Sequence, residues 1–354
     1  MQFKGWNMVS IAVLMEFSVI GFTFYCYPLM FSSLEQELDA TQAQLSGALS
    51  LFFICSAAAS IFLGRLLDKY SVKNIMLIGG IIFSVGLISI AYVQSIFFLL
   101  VIFATFIAIG GPALGNLSVT KLVANWFDKK AGVALGIAAI GISFSGVILP
   151  ILVDPLITSI GWRNVYLVFA GIVLLALLPI IYLFVVNTPE EINQHKDNEL
   201  NAVTTEILED PMPMVDFFKY KSFWFISLAF ALQFFSMGGV LLHLIPHATN
   251  LGFEGIWSVL GFPLKQTVFA YSLAAFGGVI GKIFFGYLID RIQANRPVML
   301  MMLMQAMGIF GLTMVETFDL FLISCFIFGL GFGGAMVLMS ACFLKAFGSQ
   351  NLGS

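Results

Sequence analysis

Ten apolar runs of bilayer length, separated by short polar breaks, constrain this chain more than any other feature. A hydrocarbon core takes roughly 20 apolar residues per helix. Lipid offers no partner to backbone N–H and C=O groups, so such runs must satisfy them within helices. The runs fall near 7–31, 43–63, 74–92, 96–121, 131–156, 164–186, 223–247, 266–289, 297–315 and 320–343. They predict an all-α membrane protein with ten transmembrane helices. Composition agrees: 60% of the 354 residues are hydrophobic and only 10% charged, with a mean hydropathy of +1.01, where soluble domains carry about 25% charge. The 38 Phe and 33 Gly suit lipid-facing rings and closely packed helices.

Other classes drop out. A net charge of −3 and the lack of a long basic stretch argue against a nucleic-acid partner. Cys26, Cys55, Cys325 and Cys342 all lie in apolar runs without metal-ligand spacing, and read as small buried hydrophobes. The first apolar run spans about 25 residues with no small-residue cleavage pattern, which predicts a retained helix rather than a leader. No phosphate-cradling loop is present: Gly281-Lys282 lacks both the earlier glycine and the following Ser or Thr. No cofactor is expected. An enzyme is not expected either, since no Ser/His pair, paired aspartates or metal-spaced histidines fall at one depth.

The one long hydrophilic segment, 187–221, is rich in Glu and Asp. It divides a six-helix bundle, 1–186, from a four-helix bundle, 222–354, and reads as a cytoplasmic linker. Basic residues give the orientation. With the N-terminus inside, the cytoplasmic side holds Lys4, Arg65, Lys69, Lys73, Lys129, Lys130, Lys196, Lys219, Lys221, Arg291, Arg296 and Lys345, and the other side only Arg163 and Lys265.

The halves repeat. Gly64-Arg65-Leu66-Leu67-Asp68-Lys69 follows the second run and Gly286-Tyr287-Leu288-Ile289-Asp290-Arg291 the eighth, an offset of 286 − 64 = 222. Since 354 − 222 = 132, the chain stops where the fifth helix of its second half would begin; a full version is expected to have twelve. In each copy the glycine lets helix ends approach, and Asp68 or Asp290 is placed to accept hydrogen bonds from a neighbouring helix N-terminus. Lys69 and Arg291 stay in the interface.

These residues resemble the signature loop of the major facilitator superfamily, with Ser71 standing for a usual glycine. Asn125-Trp126-Phe127-Asp128 opening the fifth helix, Gly161-Trp162-Arg163 opening the sixth, His243-Leu244-Ile245-Pro246-His247 and Gly281-Lys282-Ile283-Phe284-Phe285-Gly286 narrow the likeness to the monocarboxylate transporter and oxalate/formate antiporter branch. The resemblance implies two helical bundles around a midplane site, and alternating access. It implies a small anionic substrate, a monocarboxylate, carried with protons or in exchange, across the plasma membrane. The fifth helix lacks the Gly-Pro pair of proton-coupled drug exporters.

Embedded charges are the candidate site, because each costs roughly 2.5–3.5 kcal/mol at mid-bilayer and so tends to face protein or a wet cavity. Lys282 lies eight residues before Asp290, roughly 12 Å inward. The resembled branch places a substrate-binding arginine there; lysine keeps the charge and loses the planar two-point grip. A structural ion pair or a snorkelling lysine is the alternative. Glu16, ten residues beyond Trp6 and roughly 15 Å deep, suits a proton carrier, a partner for Lys282, or a neutral structural glutamate. His243 lies one turn before His247; histidine as a residue type changes charge in the physiological range, which fits substrate contact and proton coupling, and two histidines make no metal site. Asn116 and Gln233 suit substrate contact or interhelical bonding, and Lys121 snorkelling. Asp154 and Arg163 read as structural. Gly111, Gly115, Gly132, Gly136, Gly277 and Gly281 recur at four-residue spacing, for close packing and smooth sliding. A sensor on the same scaffold, or a nonfunctional truncated carrier, are the rival functions. Oligomeric state is not legible.

Overall fold

A computed structural model describes residues 3–198, 218–259, 262–289, 291–293 and 295–347. Among these residues, ten helices are long and apolar enough to cross a membrane: α1 Gly5–Leu38, α2 Gln42–Lys69, α3 Val72–Ala91, α4 Ile96–Trp126, α5 Ala131–Ile160, α6 Trp162–Phe184, α7 Lys221–Asn250, α8 Gln266–Ile289, α9 Asn295–Met314 and α10 Phe318–Phe343. The apolar runs thus locate every span, and the structure lengthens several by a turn or more.

One element departs from all-α expectation. Between α7 and α8 lies an antiparallel hairpin, β1 Ile256–Val259 and β2 Phe262–Lys265, in the register Ile256↔Lys265 to Val259↔Phe262. Trp257 of β1 packs against Phe269 and Phe318 at ring-centre distances of 5.3 and 5.2 Å, which seats the hairpin on α8 and α10.

Local chemistry sets the helix ends. Thr41 and Gln44 form a reciprocal capping box at the start of α2, with Gln44 N–H donating to Thr41 Oγ1 at 3.3 Å and Thr41 N–H to Gln44 Oε1 at 2.9 Å. Gly161 separates α5 from α6 at φ +77°, a backbone that a Cβ strains. Inside α1, α4 and α6 the helix widens to a π-type turn at Gly21–Tyr25, Phe103–Ile107 and Val173–Leu177, and α4 breaks again at Gly115.

The chain forms two compact units, Met1–Ala202 and Val203–Ser354. In the first, α1 lies against α5 so closely that a methyl on Gly141 would sit 2.2 Å from the Val13 carbonyl oxygen. Phe22 stacks on Phe169 at 4.1 Å. In the second, Phe230, Phe285, Ile289, Met301, Ala335 and Leu338 form a buried cluster, and α8 crosses α10 on glycine, with Gly281 against the Leu330 carbonyl.

The internal repeat extends well beyond the loop motif. Gly86 of α3 faces Phe106 of α4, and Gly308 of α9 faces Phe328 of α10; 308 − 86 and 328 − 106 both equal 222. Likewise Gly110 meets the Phe83 backbone and Gly331 that of Gln305, at offsets of 221 and 222. The same crossing is therefore built twice.

Candidate transport site

In the first unit, Val13 and Phe17 of α1 abut Gly141 of α5, while Val19 abuts Gly115 of α4. Helical spacing puts Glu16 between those two contact lines, and it is 3% exposed. Its carboxyl is thus directed into the interior of this bundle, roughly opposite the exposed Leu14. Asn116 is exposed and opens the helix that resumes after the Gly115 break; its carbonyl accepts from Thr120 Oγ1 at 2.7 Å. Glu16 and Asn116 therefore occupy different settings.

In the second unit, Lys282 is half-buried, one residue past the glycine on which α8 crosses α10. His243 and His247 line one cavity between α7 and α9, and His247 Nε2 lies 2.9 Å from the Leu312 carbonyl. Gln233 takes the interhelical role. It donates to Gln305 Oε1, and Gln305 donates in turn to Ser236 Oγ at 2.5 Å, all three lying on the α7–α9 seam. Among the described residues, no three His, Cys, Asp or Glu side chains gather closely enough to hold a metal ion.

The loop motif works differently from expectation. Asp68 takes its partner from a side chain rather than a helix N-terminus: Lys121 Nζ donates to Asp68 Oδ1 at 2.6 Å. Lys121 is thus an ion-pair member joining α4 to the end of α2. A methyl at Gly64 would meet nothing within 4 Å, so close approach within this unit is not its role, and Lys69 is exposed. In the second copy, Gly286 has only ordinary contact with Val337 at 3.8 Å. Arg291 lies over the Tyr287 ring at 4.1 Å; Asp290 lies outside the described residues. The four-residue glycine spacing is likewise mixed: Gly115, Gly277 and Gly281 are tight against neighbours, whereas Gly132 and Gly136 face open space.

Arg163 is structural. It pairs with Glu37 at 3.1 Å, donates to the Ala91 and Val93 carbonyls at 2.9 and 2.8 Å, and stacks on Trp162, whose indole N–H also donates to Glu37.

Sequence reasoning missed the start of the hydrophilic segment, which is fastened to the first unit. Asn187 Oδ1 accepts from Ser71 Oγ and Lys73 N–H at 2.8 and 2.9 Å. The Asp197 carboxylate accepts from the backbone N–H groups of Asp128, Lys129 and Lys130 at 2.9, 2.7 and 3.3 Å. Gln194 Oε1 accepts from Lys4 N–H at 3.0 Å. The only available signal was a cluster of Asn, Gln and Asp, which is common in solvated loops as well.

A model of the Major Facilitator Superfamily matches residues 13–354. The chain belongs to this superfamily. It is a multi-pass membrane transporter, not an enzyme, and its cargo is a small molecule. An Aspergillus niger protein described as MFS-type transporter pynF is 24% identical over 350 residues, covering 96% of this chain and 73% of that one. Mouse Monocarboxylate transporter 6 is 22% identical over 170 residues, 48% of this chain and 36% of its own, so that alignment spans well under half of the relative. Among solved structures, a bacterial homolog of the human lysosomal transporter Spinster, inward-facing and unoccupied, superposes with a TM-score of 0.78 at 14% identity, covering 100% of this chain and 78% of that one. The likeness carries the fold.

Proposed function

We propose that this major facilitator transporter moves a small organic anion, a monocarboxylate, by alternating access across the plasma membrane, with its N-terminus cytoplasmic. The bundles 1–186 and 222–354 rock about the linker 187–221, whose first residues are fastened to the first unit. Lys282 carries the reading: a cation within an apolar helix, half-buried beside a glycine crossing, a setting in which a positive charge suits a negatively charged cargo. Relatives named as monocarboxylate transporters, in mouse and human, point to the same cargo class.

Asn116, exposed at a helix break, orients a cargo oxygen. Glu16 serves as a proton store, which its burial in the first unit favours over cargo contact. His243 is the second proton carrier and a cargo contact on the α7 side. Proton symport offsets the charge of the anion; exchange for another anion does so equally.

Uptake of radiolabelled lactate and acetate into proteoliposomes, with and without an inward proton gradient, tests this. Lys282→Ala abolishes uptake at either setting, and Glu16→Gln removes the response to the gradient. Undiminished uptake by Lys282→Ala overturns the site assignment.

A further inference from the structure

Among the described residues, the spans of the first unit bury two acids, Glu16 on α1 and Asp154 on α5. The mechanism above draws on Glu16 alone. The two helices are clamped where Val13 and Phe17 meet Gly141 and where Gly21 meets Ser145. Gly141 therefore stands level with the stretch that holds Glu16. Asp154 follows Gly141 by thirteen residues, roughly 20 Å further along, and α5 ends six residues later at Ile160.

The buried side chains of this seam change character at Glu16. On the near side, α1 buries only apolar side chains between Met8 and Met15, and α5 only Ala134 and Ala138. Rings close that end, with Phe3 against Trp126 and Phe127 at 5.8 and 5.6 Å. On the far side, α1 buries Ser18, Thr23 and Tyr25, and α5 buries Ser143, Ser145 and Asp154. Thr23 follows Glu16 by seven residues and Asp154 follows Ser143 by eleven, so each pair shares a side of its helix. Between the latter two lies the Tyr25 ring, 2.5 Å from where a methyl on Gly146 would sit. Pro150 and Pro155 also fall on the far side. Without an N–H, they leave the Gly146 and Ile151 carbonyls short of their usual helical donors.

We propose that Asp154 is the entrance for protons bound for Glu16, and that they travel along the hydroxyl-bearing half of the α1–α5 seam. This route rests on the symport reading and on a cytoplasmic N-terminus, which makes the far end the outer one. A proton from outer water binds the Asp154 carboxylate, passes along the Tyr25, Ser145 and Thr23 hydroxyls with bridging water, and ends on the Glu16 carboxylate. Asp154 is then a carboxylate again. A hydroxyl both donates and accepts, so it can hand a proton on, whereas the aliphatic near side cannot. The Thr23 and Ser145 hydroxyls donate to the Val19 and Ile142 carbonyls at 2.5 and 2.7 Å, which leaves their oxygens able to accept. Interhelical bonding alone needs no ionisable group, and a buried acid is costly at this depth.

The test follows the carboxyl stretch of Glu16 by infrared spectroscopy, on the purified full chain in nanodiscs at low pH. Loss of the band in Glu16→Gln assigns it, and transfer into D2O shifts it. Asp154→Asn slows that shift about tenfold or more, and Asp154→Glu restores it. In proteoliposomes, Asp154→Asn removes gradient-driven lactate uptake and spares lactate–lactate exchange, in which the carrier keeps its proton. Thermal unfolding checks the variant; should it not fold, Thr23→Val, which removes one hydroxyl at constant shape, slows the same shift. An unchanged shift in Asp154→Asn, or in Thr23→Val where that variant stands in, would overturn the route, as would equal loss of uptake and exchange. Absence of any Glu16 band would overturn the proton store and the route together. A wild-type protein that carries no lactate, with the band slowed in Asp154→Asn, would instead place the failure in the cargo assignment and leave the route standing.

Discussion

The first helix of each half starts from the same repeat and ends in a different place. In α1, 72% of the most apolar stretch is buried; in α7, 22%. The second helices reverse this, with 22% for α2 and 56% for α8. α1 is covered by α5, whose counterpart by the 222-residue offset would lie beyond residue 354, so the contrast that both halves can show is that of α2 with α8, and it follows where the small residues lie. α1 is clamped to α5 through Gly141 against Val13, Gly21 against Ser145 and Leu149, and Gly146 against the Tyr25 ring. On α7, Gly238 and Gly239 meet nothing within 4 Å, and the helix is held to α9 by side-chain hydrogen bonds. The tight glycine seam of the second unit is instead α8–α10, where Gly277, Gly281, Gly329 and Gly333 each leave no room for a methyl. Meanwhile the α3–α4 and α9–α10 crossings are the same to within a residue. The crossing that both halves contain is built on the same glycines facing the same backbone, so close packing in a membrane is set locally.

The largest effect that could break this comparison is at its tightest contact. Gly141→Leu drives a side chain into the Val13 carbonyl and is expected to cost about 3 kcal/mol or more, whereas Gly238→Leu on α7 leaves the melting temperature of the purified protein within a few degrees. Equal losses at both positions would contradict the asymmetry. Next comes Arg163→Ala, which strips Glu37, Ala91 and Val93 of a shared donor in the first unit. About 2 kcal/mol is expected, read by thermal unfolding.

Gln305→Phe makes the second unit copy the first, where Phe83 holds that position. Alone it strands the Gln233 side chain, while Ser236 keeps its bond to the Gln233 carbonyl, and costs about 1 kcal/mol; paired with Gln233→Leu it recovers most of that, a coupling visible in a double-mutant cycle. Smallest is Asp68→Asn. The Lys121 pair is largely exposed, so stability changes by less than about 1 kcal/mol, while proteoliposome uptake rates report whether the pair matters to cycling.

Residue patterns read along the chain locate all ten spans, since hydropathy encodes depth. They find the repeat through its loop motif. They do not reveal partners across helices: Asp68 with Lys121, Gln233 with Gln305, and Asp197 with the N–H groups before α5 are neighbours only in space. The β1–β2 hairpin escaped notice because Ile256–Val259 does not alternate strictly between apolar and polar residues and Pro263 interrupts the second strand. Which side of α1 Glu16 occupies depends on α4 and α5 crossing there, and no periodicity within α1 states that.

The proposed function requires Lys282 to face a water-filled passage rather than lipid or sealed protein. With Cys26, Cys55, Cys325 and Cys342 replaced by serine, a Lys282→Cys protein in oriented proteoliposomes should react with a membrane-impermeant thiol reagent added from either side, and a monocarboxylate in excess should slow that reaction. Labelling by a lipid-soluble maleimide alone, with no reaction from water on either face, would contradict it.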